Sequence, residues 1–371
     1  MSKGAYVGVN NIARKVTKIY CGVDNVARKV KKGYVGVGGV ARIFFSGEKE
    51  LEYYGTITPL REGRNGLAAT TVGNYALFGG GYRSSHGGDY LDTVDSYDSN
   101  LTRGTPSSLS MARSDLAATT MGNYALFGGG YKGGDKVGTV DSYDSNLTRG
   151  TLSPLRLNRF RLAATTVGNY ALFGGGSGRT HLDAVDFYRA DLTRGTATPL
   201  SKARYALAAT TVGNYALFGG GDGGGYLGTV DSYSSNLTKG TPTQLSKDRY
   251  NLAATTVGNY ALFGGGQDSN NLSTVDSYNS NLTRSTPTQL SRGRYNLAAT
   301  TVGNYALFGG GYDSMVRNTV DSYDFNLTKG TPSLLSENRS DLAATTMGNY
   351  ALFGGGSGGL SVDTVDAYAL V

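Results

Sequence analysis

The sequence predicts an all-β protein: a seven-bladed β-propeller closed by an N-terminal outer strand and preceded by a small β-hairpin-repeat adaptor. Three observations predict it. A run reading Leu-Ala-Ala-Thr-Thr-(Val or Met)-Gly-Asn-Tyr-Ala-Leu-Phe-Gly-Gly-Gly begins at Leu67, Leu116, Leu162, Leu207, Leu252, Leu297 and Leu342, at spacings of 49, 46, 45, 45, 45 and 45 residues. Each unit holds short strand patterns divided by turn signals, and self-similarity at a period of about 45 residues in such sequence marks the blades of a propeller. An incomplete last unit also matches an orphan fragment ahead of the first, as a closed ring requires.

Residues 1–46 come first and carry a shorter repeat. Tyr6-Val7-Gly8-Val9, Tyr20-Cys21-Gly22-Val23 and Tyr34-Val35-Gly36-Val37 recur every 14 residues. Each is followed by Asn10-Asn11, Asp24-Asn25 or Gly38-Gly39 and then by a segment such as Ile12-Ala13-Arg14-Lys15-Val16. Those pairs tolerate the positive φ of two-residue hairpin turns, so a meander of about six strands is expected. Nine Lys or Arg against one acid, Asp24, give this stretch +8, while the whole chain carries +7 and the remainder sums to −1. Arg14 and Lys15 are adjacent on a strand and should face opposite ways, which spoils a phosphate-binding stripe, so nucleic acid is not an expected partner. A basic, strand-rich piece of this size has little stability alone and is expected to dock the rest to a larger virion or protein assembly. Cys21 stands in the slot of Val7 and Val35 and reads as a small apolar filler; as the single cysteine it excludes an internal disulfide framework.

Residues 47–371 are the propeller, and its fifth unit shows the pattern. Ala253-Ala254-Thr255-Thr256-Val257 has the small side chains an innermost strand needs, and Gly258-Asn259 turns the chain. Tyr260-Ala261-Leu262-Phe263 returns as a more apolar second strand ending in Gly264-Gly265-Gly266, and Thr274 to Tyr278 alternates as a third. After a turn at Ser280-Asn281, Thr283 to Leu290 supplies an outer strand in which Pro287 is tolerated because that strand is an edge. The last unit stops after its third strand, and Gly55-Thr56-Ile57-Thr58-Pro59-Leu60 aligns with Gly240-Thr241-Pro242-Thr243-Gln244-Leu245, so this orphan should complete the seventh blade. Arg64, Arg113, Arg159, Arg204, Arg249, Arg294 and Arg339, with Asp95, Asp141, Asp186, Asp231, Asp276, Asp321 and Asp366, recur once per unit and read as a structural Arg–Asp pair. The triple glycines close a strand instead of joining strand to helix, which argues for backbone crowding over phosphate binding.

Glycines closing the second strand, then Val-Asp-Ser-Tyr, then a Pro-Leu segment and an Arg before the next unit resemble the kelch repeat over about 320 residues. Kelch units carry a Trp in the outer strand; this chain has none, and Thr105, Thr241 and Thr286 lie near its place. The short N-terminal units are similar to repeats in prophage structural proteins. That resemblance implies a virion or tail-fibre role, with synthesis in the cytoplasm and release by lysis. The start, Met1-Ser2-Lys3-Gly4, lacks the apolar stretch of a signal peptide, and no run of about 18 apolar residues predicts membrane insertion. Asn100, Asn146, Asn236, Asn281 and Asn326, each in Asn-Leu-Thr, accordingly read as turn residues.

Aligned against one another, the units differ in two segments only. One follows the triple glycine: 82–92, 131–138, 177–183, 222–228, 267–273, 312–318 and 357–363. The other flanks the recurring Arg: 61–66, 110–115, 156–161, 201–206, 246–251, 291–296 and 336–341. Strands alternate in direction within a blade, so both segments emerge on one face, while the Gly-Asn and Ser-Asn-Leu-Thr turns emerge on the other. Loops on a rigid scaffold are where binding resides, and Tyr with small polar residues is a paratope-like composition. The expected ligand-binding residues are Tyr82, Arg83, Tyr90, Tyr131, Phe160, Arg179, Tyr205, Tyr226, Tyr250, Asn270, Asn271, Tyr295, Tyr312 and Arg317. The expected ligand is a cell-surface glycan or protein.

No catalytic set is found. His86 and His181 lie in different units with no ligand neighbours at metal spacing, so neither metal nor other cofactor is expected. The paired His and Tyr of galactose-oxidase-like propellers and the Trp-ended Asp boxes of sialidases are missing. The chain is expected to be a non-enzymatic binder. An intracellular interaction scaffold, as many kelch-like propellers are, is the alternative, and carboxylates converging in the central channel would restore an enzyme.

Overall fold

Burial along each Ala-Ala-Thr-Thr-Val or Ala-Ala-Thr-Thr-Met segment alternates strictly, as a strand with one face on a solvent channel and one in a core must. These segments are the innermost strands, here a, of the blades in a computed structural model. It describes residues 50–371 except His86, and the backbone of six strands nearer the N-terminus. Within Tyr53–Ala369, one of two compact units, seven four-stranded antiparallel sheets each run in the order a, b, c, d. In the fifth these are Ala253–Val257, Tyr260–Gly264, Val275–Asn279 and Arg284–Ser285. Each strand a touches the strand a of both neighbouring blades, the seventh meeting the first, so the ring is closed. No helix is present among the described residues.

The seventh blade, Ala343–Met347, Tyr350–Gly354 and Val365–Leu370, takes Leu51–Ile57 as its outer strand. The expected closure is therefore what the fold contains. Outer strands are shorter than expected elsewhere: Thr283 to Leu290 reduces to Arg284–Ser285, and the first and fourth blades likewise keep Arg103–Gly104 and Lys239–Gly240. A proline two residues on (Pro106, Pro242, Pro287) cannot donate to the ladder and bars its predecessor from regular pairing. Where Leu152, Ala197 or Ile57 replaces it, the strand extends to Leu152, Thr196 or Ile57.

The core lies between blades. Val72, Leu77, Val94 and Leu109 of the first pack on Leu116, Ala125, Phe127 and Tyr143 of the second, and the cluster joining seventh to first repeats the plan with Phe78, Tyr97, Leu352 and Val365. Each triple glycine sits in this contact. A Cβ on Gly264 would lie 2.7 Å from the Phe308 ring of the next blade, and on Gly354 2.7 Å from Phe78. The third glycine, at φ +96 in Gly266, donates its N–H to the carbonyl of the next blade's Arg294 at 2.9 Å. Crowding between blades thus accounts for the glycines. Each strand-c Tyr donates to a carbonyl at the end of the preceding outer strand or just past it, as Tyr278 does to Thr243 at 2.6 Å; Tyr97 reaches Thr58 at 2.8 Å and pins the closing segment to the first blade.

The Arg–Asp pairs are real and fully buried. Arg249 Nη2 donates to Asp276 Oδ2 at 2.8 Å and to the Phe263 carbonyl at 3.1 Å, both side chains having no exposure. Asp276 also accepts from the Ser246 amide at 3.1 Å and from Arg284 on the outer strand at 2.9 Å. The seventh blade has no outer-strand cation; the Tyr53 hydroxyl takes that place, donating to Asp366 at 2.6 Å.

The N-terminal unit spans residues 1–52 with Leu370 and Val371. Its strands Tyr6–Val9, Ile12–Lys15, Ile19–Val23, Val26–Val30, Lys32–Val37 and Val40–Ser46 pair two by two into three antiparallel hairpins, with no described pairing that would join them into the expected meander. Register Val9–Ile12, Val23–Val26 and Val37–Val40 leaves two residues for each connection. The facing of Arg14 and Lys15 and the role of the Cys21 side chain lie outside the described residues.

Candidate functional site

The two variable segments are zipped together. The residue after each triple glycine pairs with the residue after the recurring Arg: Asn65 with Tyr82, Ser114 with Tyr131, Phe160 with Ser177, Tyr205 with Asp222, Tyr250 with Gln267, Tyr295 with Tyr312, and Ser340 with Ser357. Each blade therefore presents a small ribbon on one face. The longer loops of the first two blades form true hairpins, Tyr82–Arg83 with Asp89–Tyr90 and Tyr131–Lys132 with Asp135–Lys136. In the third to seventh blades a tighter turn bridges back at His181, Tyr226, Asn271, Val316 and Ser361.

Aromatic rings follow this rim. Tyr82, Tyr90, Tyr131 and Phe160 form a continuous contact series across three blades with centroid separations of 5.1, 5.8 and 5.2 Å. His181 lies 4.9 Å from Tyr205, Tyr226 stacks on Tyr250 at 5.4 Å and 6°, and Tyr295 meets Tyr312 at 5.5 Å. Tyr226 and Tyr312 are exposed and the other tyrosines half-buried. The seventh blade breaks the arc with Ser340, Ser357 and Ser361; Ser361 accepts from Asn65 at 3.0 Å across the seam.

The expected polar residues divide. Arg179 and Asn270 are exposed. Arg83 bridges Glu62 at 2.9 Å and Asp89 at 2.6 Å, and Arg317 is held by Asp313 at 2.8 Å. Asn271 donates to the Asp313 carbonyl and thereby ties the fifth blade to the sixth. Arg83 and Asn271 thus fasten separate segments together, whereas Arg317 braces its own loop. His86 lies outside the described residues.

One set within the variable segments was not singled out by sequence. The last residue before each strand-a leucine reaches the axis: Gly66, Asp115, Arg161, Ala206, Asn251, Asn296 and Asp341. Each donates its amide N–H to the carbonyl of the one before, from Asp115 to Gly66 at 2.8 Å round to Gly66 on Asp341 at 3.0 Å, closing a ring of main-chain hydrogen bonds at the channel mouth. All have φ between 50 and 60. A pit of about 210 Å³ opens here, lined by these residues and the leucines that follow. Burial, with Asp115 nearby, holds the Asp341 carboxyl above the usual carboxylate range despite the hydrogen bond from Ser340 at 2.9 Å. Arg161 Nε is 3.1 Å from Asp115. Deeper down, the channel is walled by Ala and Thr, with Thr hydroxyls of successive blades 2.8 Å apart, as in Thr210 and Thr256. The signal available in sequence was a position held by Asn, Asp or Gly in five of the seven units, the residues that tolerate left-handed φ.

The opposite face varies little for a structural reason. Leu101, Leu147, Leu192, Leu237, Leu282 and Leu327 hold positive φ in the c–d turns because their side chains pack into the inter-blade cores, as Leu147 does beside Tyr75. Asp98 Oδ1 accepts from the Asn100 and Thr102 amides at 2.9 Å each. The Asn-Leu-Thr segments are turns, as expected. Constancy there reflects packing, so the contrast between faces is weaker support for binding than the aromatic rim itself.

Among the described residues no three or more His, Cys, Asp or Glu side chains gather to hold a metal ion. No protein-family model matches the chain, and no curated protein matches it.

Proposed function

We propose that this chain is a non-enzymatic receptor-binding protein, a kelch-like propeller of a phage or prophage virion or tail fibre, whose variable face engages a cell-surface glycan or protein. The observation that carries the reading is the aromatic rim: variable residues of two separate segments, zipped blade by blade, line up Tyr82, Tyr90, Tyr131 and Phe160 and then Tyr205, Tyr226, Tyr250, Tyr295 and Tyr312 on one side of a rigid ring. Rigid aromatic area at low entropic cost, flanked by small polar groups, suits recognition. In this reading the N-terminal hairpins attach the propeller to the particle.

The test is binding of the labelled chain to a panel of bacterial cells and purified envelope glycans, with Tyr205, Tyr250 and Tyr295 all changed to Ala. Loss of at least tenfold with an unchanged melt is expected. Undiminished binding overturns the assignment to this face.

A further inference from the structure

We propose that the axial pit takes a single neutral sugar residue, held through Asn251, Asn296 and Asp341. This deepens the reading of the variable face as a receptor-binding surface and rests on it. At about 210 Å³ the pit is smaller than the roughly 300–1,000 Å³ of pockets for drug-sized ligands, and has room for one small polar molecule. Its walls bring together two amides, two carboxylates and one guanidinium from five different blades. The side-chain amides of Asn251 and Asn296 make no hydrogen bond among the described residues, and Asp341 uses only Oδ2, toward Ser340. Amides donate and accept, carboxylates accept, and a polyol offers both in close array, so the unpaired groups and the ligand class are complementary.

Charge narrows the class further. Arg161 is ion-paired with Asp115 and makes no hydrogen bond to Asp341, so two carboxylates face one guanidinium and the pit is net negative once Asp341 is ionised. An anionic sugar would meet that field; a neutral one would not. The backbone shows that side chains here are not forced by the fold. Gly66 meets the ring geometry at φ 60, yet the other six positions carry side chains at φ 50–54, a left-handed region unfavourable for an L-residue such as Arg161 or Ala206. Keeping a desolvated Asp341 carboxylate is likewise unfavourable for folding.

Saturation-transfer NMR of the intact chain against glucose, galactose, mannose and N-acetylglucosamine, with glucuronate and N-acetylneuraminate as anionic probes, tests the proposal. The expected result is binding of at least one neutral sugar, weakened tenfold or more by Asn251→Gly/Asn296→Gly/Asp341→Gly, substitutions that Gly66 shows the ring accepts. Phe325→Ser on the opposite face should leave the signal unchanged. Should the triple variant fail to fold, Asn296→Gly and Asp341→Gly singly carry the test. Insensitivity to these changes, preference for an anionic sugar, or no binding by any probe overturns the proposal. The rim variant separates the two readings. If cells bind the native chain and not the rim variant while no sugar binds, the pit assignment falls and the receptor-binding face stands.

Discussion

Replacing Arg249 by Met removes one of the buried guanidinium groups and leaves its carboxylate behind. Arg249 and Asp276 are both fully buried, and two hydrogen bonds vanish, to Asp276 Oδ2 at 2.8 Å and to the Phe263 carbonyl at 3.1 Å. Breaking a buried ion pair from one side costs about 3–5 kcal/mol, because the remaining charge is stranded. Here Asp276 keeps the Ser246 amide at 3.1 Å and Arg284 at 2.9 Å, so the low end of about 3 kcal/mol is expected. An unfolding entropy of about 2.1 cal/mol/K per residue over roughly 320 residues is near 0.7 kcal/mol/K, so Tm should fall by about 4–5 °C. Differential scanning calorimetry reads this directly. The double variant Arg249→Met/Asp276→Leu removes both charges and should recover part of the loss, since an apolar pair of similar volume can replace a buried ion pair without penalty. Double-variant destabilisation equal to the sum of the two single variants would refute the reasoning, as would a shift for Arg249→Met below about 1 °C.

Further predictions concern the seam, the glycines and pH. Deleting residues 51–57 opens the seventh blade, strips Asp366 of the Tyr53 hydroxyl and should lower Tm more than any single substitution above; an unchanged melt would contradict closure by this strand. Gly264→Ala drives a methyl to within 2.7 Å of the Phe308 ring and should cost about 1–3 kcal/mol in urea unfolding, whereas Gly225→Ala, with nothing within 4 Å, should be silent. Burial and the bond to Asp366 push the Tyr53 hydroxyl up to about 12. Its unfolded form ionises near 10, so its share of stability is intact below pH 10 and is lost as pH rises toward 12; Tyr53→Phe should show a flatter stability profile in that window. Asp341 is also raised, so its protonated form favours folding at low pH and that gain is lost as pH rises through its folded pKa; Asp341→Asn should be more stable than the native chain at pH 7, with the gap narrowing on acidification.

The ring was legible because its determinants are local and repeated. Alternation in Ala-Ala-Thr-Thr-Val, Gly-Asn turns and the offset between the orphan Gly55 segment and the truncated last unit each dictate structure within a few residues. Strand ends are less legible: an edge position tolerates Pro287, yet it halts the strand at Ser285 by removing a donor and constraining Thr286. The site divided in the same way. That two segments share a face follows from strand parity, which sequence supplies. That Tyr226 stacks on Tyr250 while Asn271 fastens the fifth blade to the sixth depends on the angle between blades, and no local pattern encodes it. The axial residues are not legible in sequence because their position is a property of the closed ring.

The seam between Val365–Leu370 and Leu51–Ile57 also sets a kinetic order. Every other outer strand joins a blade assembled from neighbouring sequence, but this pairing spans more than three hundred residues, and its loop-closure entropy must be met before any of its hydrogen bonds form. The six other sheets can therefore form ahead of it, with the edge of Val365–Leu370 open and able to capture the Leu51–Ile57 segment of another molecule. Refolding should then be first-order and slow at low concentration, and increasingly diverted into swapped species as concentration rises.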